Sequence, residues 1–330
     1  MCRWLGRVRR RFHRASEDVN LLPEAGDGRA MAPRTVLLVF LGLFAAAGAV
    51  HADGTSELYA CYDALNGGDN AAAIAACDRA IAAGDLSDSD LAVAYTRRSI
   101  ADRNLQRYDD ALTDCGKAVA HRPDDWWAHF ACGNAQGSKG DYPAALKSFG
   151  AAIARGPDHA DAYNGRGNIY NQMGEFTQAM ADFDAALRLS PHYVWAQINR
   201  GIALYALSRF PEAAEQFDAA TTSEPQSAYV VLWLALARTR AGQDVHMMLV
   251  SAALMIDLDA WPGPIVKDYQ LTLAPMAPIL PATRPPVDLE PTRQQKCEAD
   301  FYYAELDLVT GKTDGVVKKL QEAADTCPKT

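Results

Sequence analysis

The sequence predicts an all-α fold, a superhelical solenoid of stacked helical hairpins, on three observations. Prolines recur at Pro123, Pro157, Pro191 and Pro225, each interval being 34 residues. A fixed period of that length marks a repeat architecture. Between the prolines, glycine and alanine return at the same slots with aromatic residues among them. Apolar residues make up 49% and charged residues 22%, which places the chain among globular rather than disordered proteins.

The N-terminus is read as lying outside that fold. Residues 1–30 are basic, with Arg9, Arg10 and Arg11 together. They are expected to be an extension, from either a start codon placed too early or a long cytosolic leader, with Met31 the alternative start. Met31-Ala32-Pro33-Arg34 then precedes an apolar run ending at Val50-His51-Ala52. A basic start, an apolar run and small residues before the cut predict a signal peptide over 31–52, cleaved near Ala52. The run is shorter than the roughly twenty residues a membrane span needs, although a retained anchor is the alternative. No cysteine stands at the cleavage site, so no lipid anchor is expected. The mature chain is then periplasmic or secreted.

Residues 53–258 are read as the repeat array. Its clearest unit runs from Asp161 to Pro191. With the proline as position 32, Tyr163 falls at 4, Gly167 at 8, Tyr170 at 11, Ala179 at 20, Phe183 at 24 and Ala186 at 27. The next unit repeats Gly201, Ala213, Phe217 and Ala220, and the preceding one has Gly133, Ala145, Phe149 and Ala152. One unit earlier, Cys115 stands at position 24 and Ser99 at position 8. Small residues at 8, 20 and 27 let helices approach, and large residues at 4, 11 and 24 fill the layer between them. Proline at 32 ends the second helix. One hairpin cannot bury its apolar face alone, so the units stack. These positions resemble the tetratricopeptide repeat (TPR) pattern.

Degenerate units flank the clear ones. Glu57 to Ala82 predicts a starting hairpin with its turn at Gly67-Gly68-Asp69-Asn70. Ala228 onward reads as one more first helix, whose partner, from Asp244 to Leu258, lacks the alanine pattern. Residues 259–292 are expected to hold an atypical helix and a loop with six prolines between Pro275 and Pro291. Residues 293–330 close the chain as a TPR-like hairpin, with Ala304 at position 8 and Gly311 at position 15 when Pro328 is set at 32.

Six cysteines remain after the signal, an even number in an exported chain. In an antiparallel hairpin, residues equally far from the turn lie side by side. That symmetry pairs Cys61 with Cys77, Cys115 with Cys132, and Cys297 with Cys327. Six buried free thiols are the rival reading. Zinc is not expected, because no CxxC or close Cys–His pair occurs.

No catalytic residue and no cofactor is expected. His121, His159 and His192 fall near turns, and neither HExxH nor GxSxG occurs. The net charge of −9 repels phosphate backbones, so nucleic acid is not an expected partner. The expected working surface is the concave face made by the first helices, at positions 2, 5, 6, 9, 12 and 13. It would hold Trp127, Phe130, Asn134, Asn164, Asn168, Asn171, Gln172, Trp195, Asn199 and Tyr205. Asparagine amides can pair with a peptide backbone whatever its sequence, and aromatics beside them can anchor apolar groups. The other reading makes the asparagines solvated helix residues and the tryptophans packing between units. The expected partners are other proteins or peptides, and helices exposed at either end could pair as a homodimer.

Further residues extend the likeness. They are Ile198-Asn199-Arg200-Gly201-Ile202-Ala203-Leu204-Tyr205, Leu232-Trp233-Leu234-Ala235, Trp261 with Pro264-Ile265-Val266 and Tyr269, and Phe301-Tyr302-Tyr303 before Gly311. In that order they resemble the bacterial periplasmic NlpI lipoprotein family. The resemblance implies a non-enzymatic adaptor that brings envelope proteases or cell-wall hydrolases to their targets. A peptidoglycan-binding module is the alternative function.

Overall fold

The computed structural model describes residues 53–273, 292–312, 315–316 and 319–320. The signal, the Pro-rich loop from Pro275 and Cys327 lie outside them. The described residues form fourteen α-helices and no strand. They are α1 (Gly54–Asn66), α2 (Asn70–Ala83), α3 (Asp88–Asn104), α4 (Tyr108–His121), α5 (Trp126–Lys139), α6 (Tyr142–Arg155) and α7 (Ala160–Met173). Then come α8 (Phe176–Leu189), α9 (Val194–Ala206), α10 (Phe210–Ser223), α11 (Ala228–Arg240), α12 (His246–Ala253), α13 (Gly263–Leu273) and α14 (Arg293–Val309). The chain divides into two compact units, with the division in the sequence falling inside α5 between Ala131 and Cys132.

The helix boundaries follow from local chemistry. Asp53, Asp69, Ser87 and Asp141 each accept a backbone N–H of the following first turn. Such a side chain satisfies a donor that the helix leaves open. Thr292 does the same for α14 and forms a capping box with Gln295. Within each hairpin the chain turns through a left-handed residue at position 15. Gly140, Gly174, Gly242 and Gly311 hold it, with φ between 72° and 92°. Gln106 and Ser208 stand in the same slot at φ of 63° and 61°. The N–H that follows then closes on a carbonyl five residues back, as from Glu175 to Tyr170 and from Arg209 to Leu204, both at 2.9 Å.

In the second unit the helices of a hairpin meet through a glycine and a phenylalanine. A Cβ on Gly167 would lie 2.7 Å from Phe183 Cε1, and one on Gly133 2.9 Å from Phe149 Cδ1. Real Cβ atoms do not come so close, so these contacts need glycine. The first unit solves the same problem differently. Cys115 replaces the phenylalanine, and Ser99 fits at position 8 with its Oγ donating to the Ala111 carbonyl at 2.7 Å. Ion pairs add a second link between the helices of a hairpin. Arg98 Nε and Nη2 clamp Asp114 at 2.6 and 2.8 Å, and Arg166 clamps Asp182 at 2.8 and 2.7 Å. These are positions 7 and 23. In the unit after Pro191 position 23 is Gln216, and Arg200 turns instead to Asp184 at 2.8 Å.

Cys61 and Cys77 are bonded across the first hairpin, with Cα atoms 5.2 Å apart and no exposed surface. Cys115, Cys132 and Cys297 are also in disulfides. The repeat pattern fades after Arg240. Helix α12 is eight residues long, and the main core of the second unit gathers Leu232, Trp233, Leu236, Ile265, Tyr269, Phe301 and Tyr302.

Candidate functional site

The first helices carry the residues that sequence reasoning assigned to the binding face, and they fall into three groups. Trp127 and Phe130 lie on the part of α5 in the first unit and are half-buried. The Trp127 N–H is held by Asp125 Oδ1 at 3.1 Å, and the Phe130 ring sits 5.9 Å from that of Trp126. Asn134, Gln172 and Trp195, in the second unit, are also half-buried.

The asparagines are a second group, more buried than a solvated face would be. Asn199 Nδ2 donates to Asn164 Oδ1 at 3.1 Å, and Asn171 Nδ2 donates to the Asn199 carbonyl at 3.2 Å. Tyr193 Oη donates to Asp161 Oδ1 at 2.6 Å, and burial pushes the phenol far above its usual range. Asn164, Asn171 and Asn199 thus tie α7 to α9, the first helices of consecutive repeats. Asn168 belongs to the same strip, and its Oδ1, like that of Asn171, is buried without a hydrogen-bond partner.

Tyr205 forms the third group and corrects the expectation that it faces an open groove. It is buried, and its Oη donates to Glu305 Oε2 of α14 at 2.8 Å. Nearby aromatic residues further along the chain behave alike. Tyr229, at position 2 of the last repeat, donates to Glu298 Oε2 at 2.9 Å, and Trp261 Nε1 donates to the same oxygen at 2.8 Å. Trp233, at position 6, packs on Phe301 and Tyr302 with ring centroids 5.8 and 6.3 Å away. The face of the last two repeats is therefore filled by the chain's own helix. Both glutamates are almost fully buried. Burial raises the Glu305 carboxyl, and the Tyr205 hydrogen bond and the Arg240 charge oppose the rise.

Sequence reasoning missed Glu298, Glu305, Tyr229, Trp233 and Trp261 as members of this surface. A signal was present. Glu298, Phe301, Tyr302 and Glu305 fall at i, i+3, i+4 and i+7, which is one helix face. Acids on an otherwise apolar stripe need donors opposite them. Among the described residues there is no cluster of His, Cys, Asp or Glu able to hold a metal ion, and no helix long and apolar enough to cross a membrane.

Comparison with known proteins agrees with this geometry. The tetratricopeptide repeat models match residues 130–194 and 170–237. The chain therefore carries tetratricopeptide repeats over residues 130–237. Among solved structures it is similar to a tetratricopeptide repeat protein of Parabacteroides merdae, at 15% identity and a TM-score of 0.52, covering 84% of this chain and 94% of that one. It is also similar to pilF of Pseudomonas aeruginosa, at 17% identity and a TM-score of 0.51, covering 61% of this chain and 88% of that one. A thermophilic TPR protein of Thermus thermophilus aligns at 20% identity and a TM-score of 0.49, covering 56% of this chain and 98% of that one. At such identities the first two speak for the fold alone, and nothing is drawn from the third. No curated protein matches the sequence.

Proposed function

We propose that this chain is a non-enzymatic, extracytoplasmic scaffold that holds other proteins on the first-helix face of its repeats. One observation carries the reading. At the end of the array that face already holds a polypeptide, through Tyr205, Tyr229 and Trp233 on Glu298, Glu305, Phe301 and Tyr302. Upstream, Asn134, Gln172 and Trp195 keep partly exposed surface on the same kind of helix. The disulfides support an oxidising compartment, and with the apolar N-terminal run they favour the periplasm over the cytosol. The sequence stretches that resemble the NlpI family favour, as that role, an adaptor between envelope proteases or cell-wall hydrolases and their clients.

The test is capture of partners from envelope extract by the full chain. Trp195→Ala with Asn168→Ala is expected to reduce recovery about tenfold while leaving the circular dichroism unchanged. Equal recovery by the folded double variant would remove this face from the function. Binding to purified sacculi without any captured protein would favour the peptidoglycan module instead.

A further inference from the structure

We infer that the first-helix face of the first unit, at Tyr59, Tyr62 and Arg97, docks an acidic peptide segment of a partner protein, with a carboxylate on the Arg97 guanidinium and apolar side chains on the tyrosine rings. This rests on the scaffold reading above and names the partner chemistry for one stretch of that face.

The face follows from helical spacing. Tyr59 and Tyr62 stand at i and i+3 on α1, and Val93, Arg97 and Ile100 stand at i, i+4 and i+7 on α3. Arg97 joins the two helices. Its Nη1 donates to the Leu58 carbonyl at 3.3 Å, and its guanidinium lies over the Tyr62 ring, 4.5 Å from the centroid. Val93 and Ile100, about one turn to either side of it, are half-buried. The rings themselves stay open, Tyr59 at 67% exposure and Tyr62 at 45%. Two exposed aromatics on one helix face, backed by a fixed arginine, combine the residue types that carry most of the energy at protein interfaces.

The charge selects the partner. Arg98, the next residue, is clamped by Asp114 and also reaches Asp78. Arg97 has no carboxylate within ion-pair distance among the described residues, in a chain with 41 acids against 32 lysines and arginines. Burial pushes its guanidinium below the usual range, and Tyr62 and Asp63 oppose that from nearby. A cation removed from water gains more from an added anion than a solvated one does. The N–H donors not spent on Leu58 form a planar fork that suits the oxygens of a carboxylate. The ring and the carbonyl already hold the fork in place, so docking costs little side-chain freedom. A peptide suits this face better than a nucleic acid, which draws its affinity from several phosphate contacts at once and is repelled by the net charge of −9.

The experiment measures, by fluorescence anisotropy, binding of the full chain to a labelled peptide of alternating glutamate and tyrosine. Saturable binding is expected, weakened severalfold by high salt. The same peptide with glutamine for glutamate is expected to bind at least tenfold more weakly. Arg97→Gln is expected to lose at least tenfold in affinity for the acidic peptide. Arg79→Gln, which removes a cation already paired with Glu57, is expected to leave it unchanged. Should Arg97→Gln fail to fold, Tyr59→Ala serves instead, because that ring is mostly exposed. It is expected to weaken binding severalfold. A chain that binds no acidic peptide, or binds the glutamate and glutamine peptides equally, would overturn the inference. So would a folded Arg97→Gln or Tyr59→Ala chain that binds like the parent, or an oligothymidylate that binds as tightly as the peptide. Envelope capture that still depends on Trp195 and Asn168 while the acidic peptide fails would sink this inference alone and leave the scaffold reading standing.

Discussion

At Gly201 a Cβ would sit 2.8 Å from Phe217 Cε1, so one missing atom sets how closely α9 and α10 pack. Gly201→Val is expected to destabilise the chain by about 1–3 kcal/mol through overpacking, read as a lower urea midpoint. An unchanged midpoint would mean that the hairpin can open at no cost. Asp102 is a residue of the opposite kind, an acid in an unfavourable place. It lines a cleft of about 290 Å³ with Asp78, Arg98, Arg107, Asp114 and Lys117. Burial first, then the charges of Asp114 and Asp110, push its carboxyl from the usual 3.8 up to about 6. A raised acid favours the protonated native state. Its ionisation therefore removes stability as pH rises from about 4 through about 6, and the loss is complete above that. Asp102→Asn is expected to stabilise the chain by about 1 kcal/mol at pH 7, well short of the full shift because Arg107 and water share the open cleft. At pH 3.5 the variant and the parent are expected to melt together. A variant no more stable at pH 7 would show that the ion pair with Arg107 outweighs burial.

At the scale of the element, the hairpin is defined by its turn. Position 15 is left-handed in every described repeat turn from Gln106 to Gly311, but the residue there is not always glycine. A non-glycine residue in that conformation carries about 1 kcal/mol of strain. Ser208→Gly and Gln106→Gly are each expected to raise thermal stability by a few tenths to about 1 kcal/mol, the larger entropy loss of glycine offsetting part of the relief. Scanning calorimetry measures this, and a lower melting temperature for both would mean that the side chains hold the turn by contacts of their own. The Arg–Asp clamp belongs to the same scale. It spans positions 7 and 23 in the repeats of Arg98 and Arg166, and Arg200 shifts to the preceding repeat where Gln216 stands at 23. All three pairs are sixteen residues apart, but in the first two the aspartate follows its arginine within one repeat, whereas Asp184 precedes Arg200. The third depends on which neighbour remains within reach.

At the scale of the molecule, oxidised cysteines accompany the repeats. Labelling the unfolded, unreduced mature protein with a thiol reagent is expected to find none of its six cysteines reactive. Six reactive thiols would reject both the pairing and the oxidising compartment. The repeat period, the small-residue slots, the first turn at Gly67–Asn70 and the place of Gly311 were all readable in the chain, because they obey short-range rules. Proline beyond the first turn stops a helix, and glycine admits a left-handed turn or a close aromatic whatever lies far away. The binding face was legible as a set of positions, since a helix presents the same side every turn. What occupies those positions was not. Asn164, Asn171 and Asn199 spend their amides on each other and on the neighbouring backbone, and Tyr205 meets a glutamate one hundred residues away. Such pairings depend on which distant segment returns to the face. Helical periodicity reports the face a residue is on, and long-range packing then selects the partner and with it whether the groove stands open or filled.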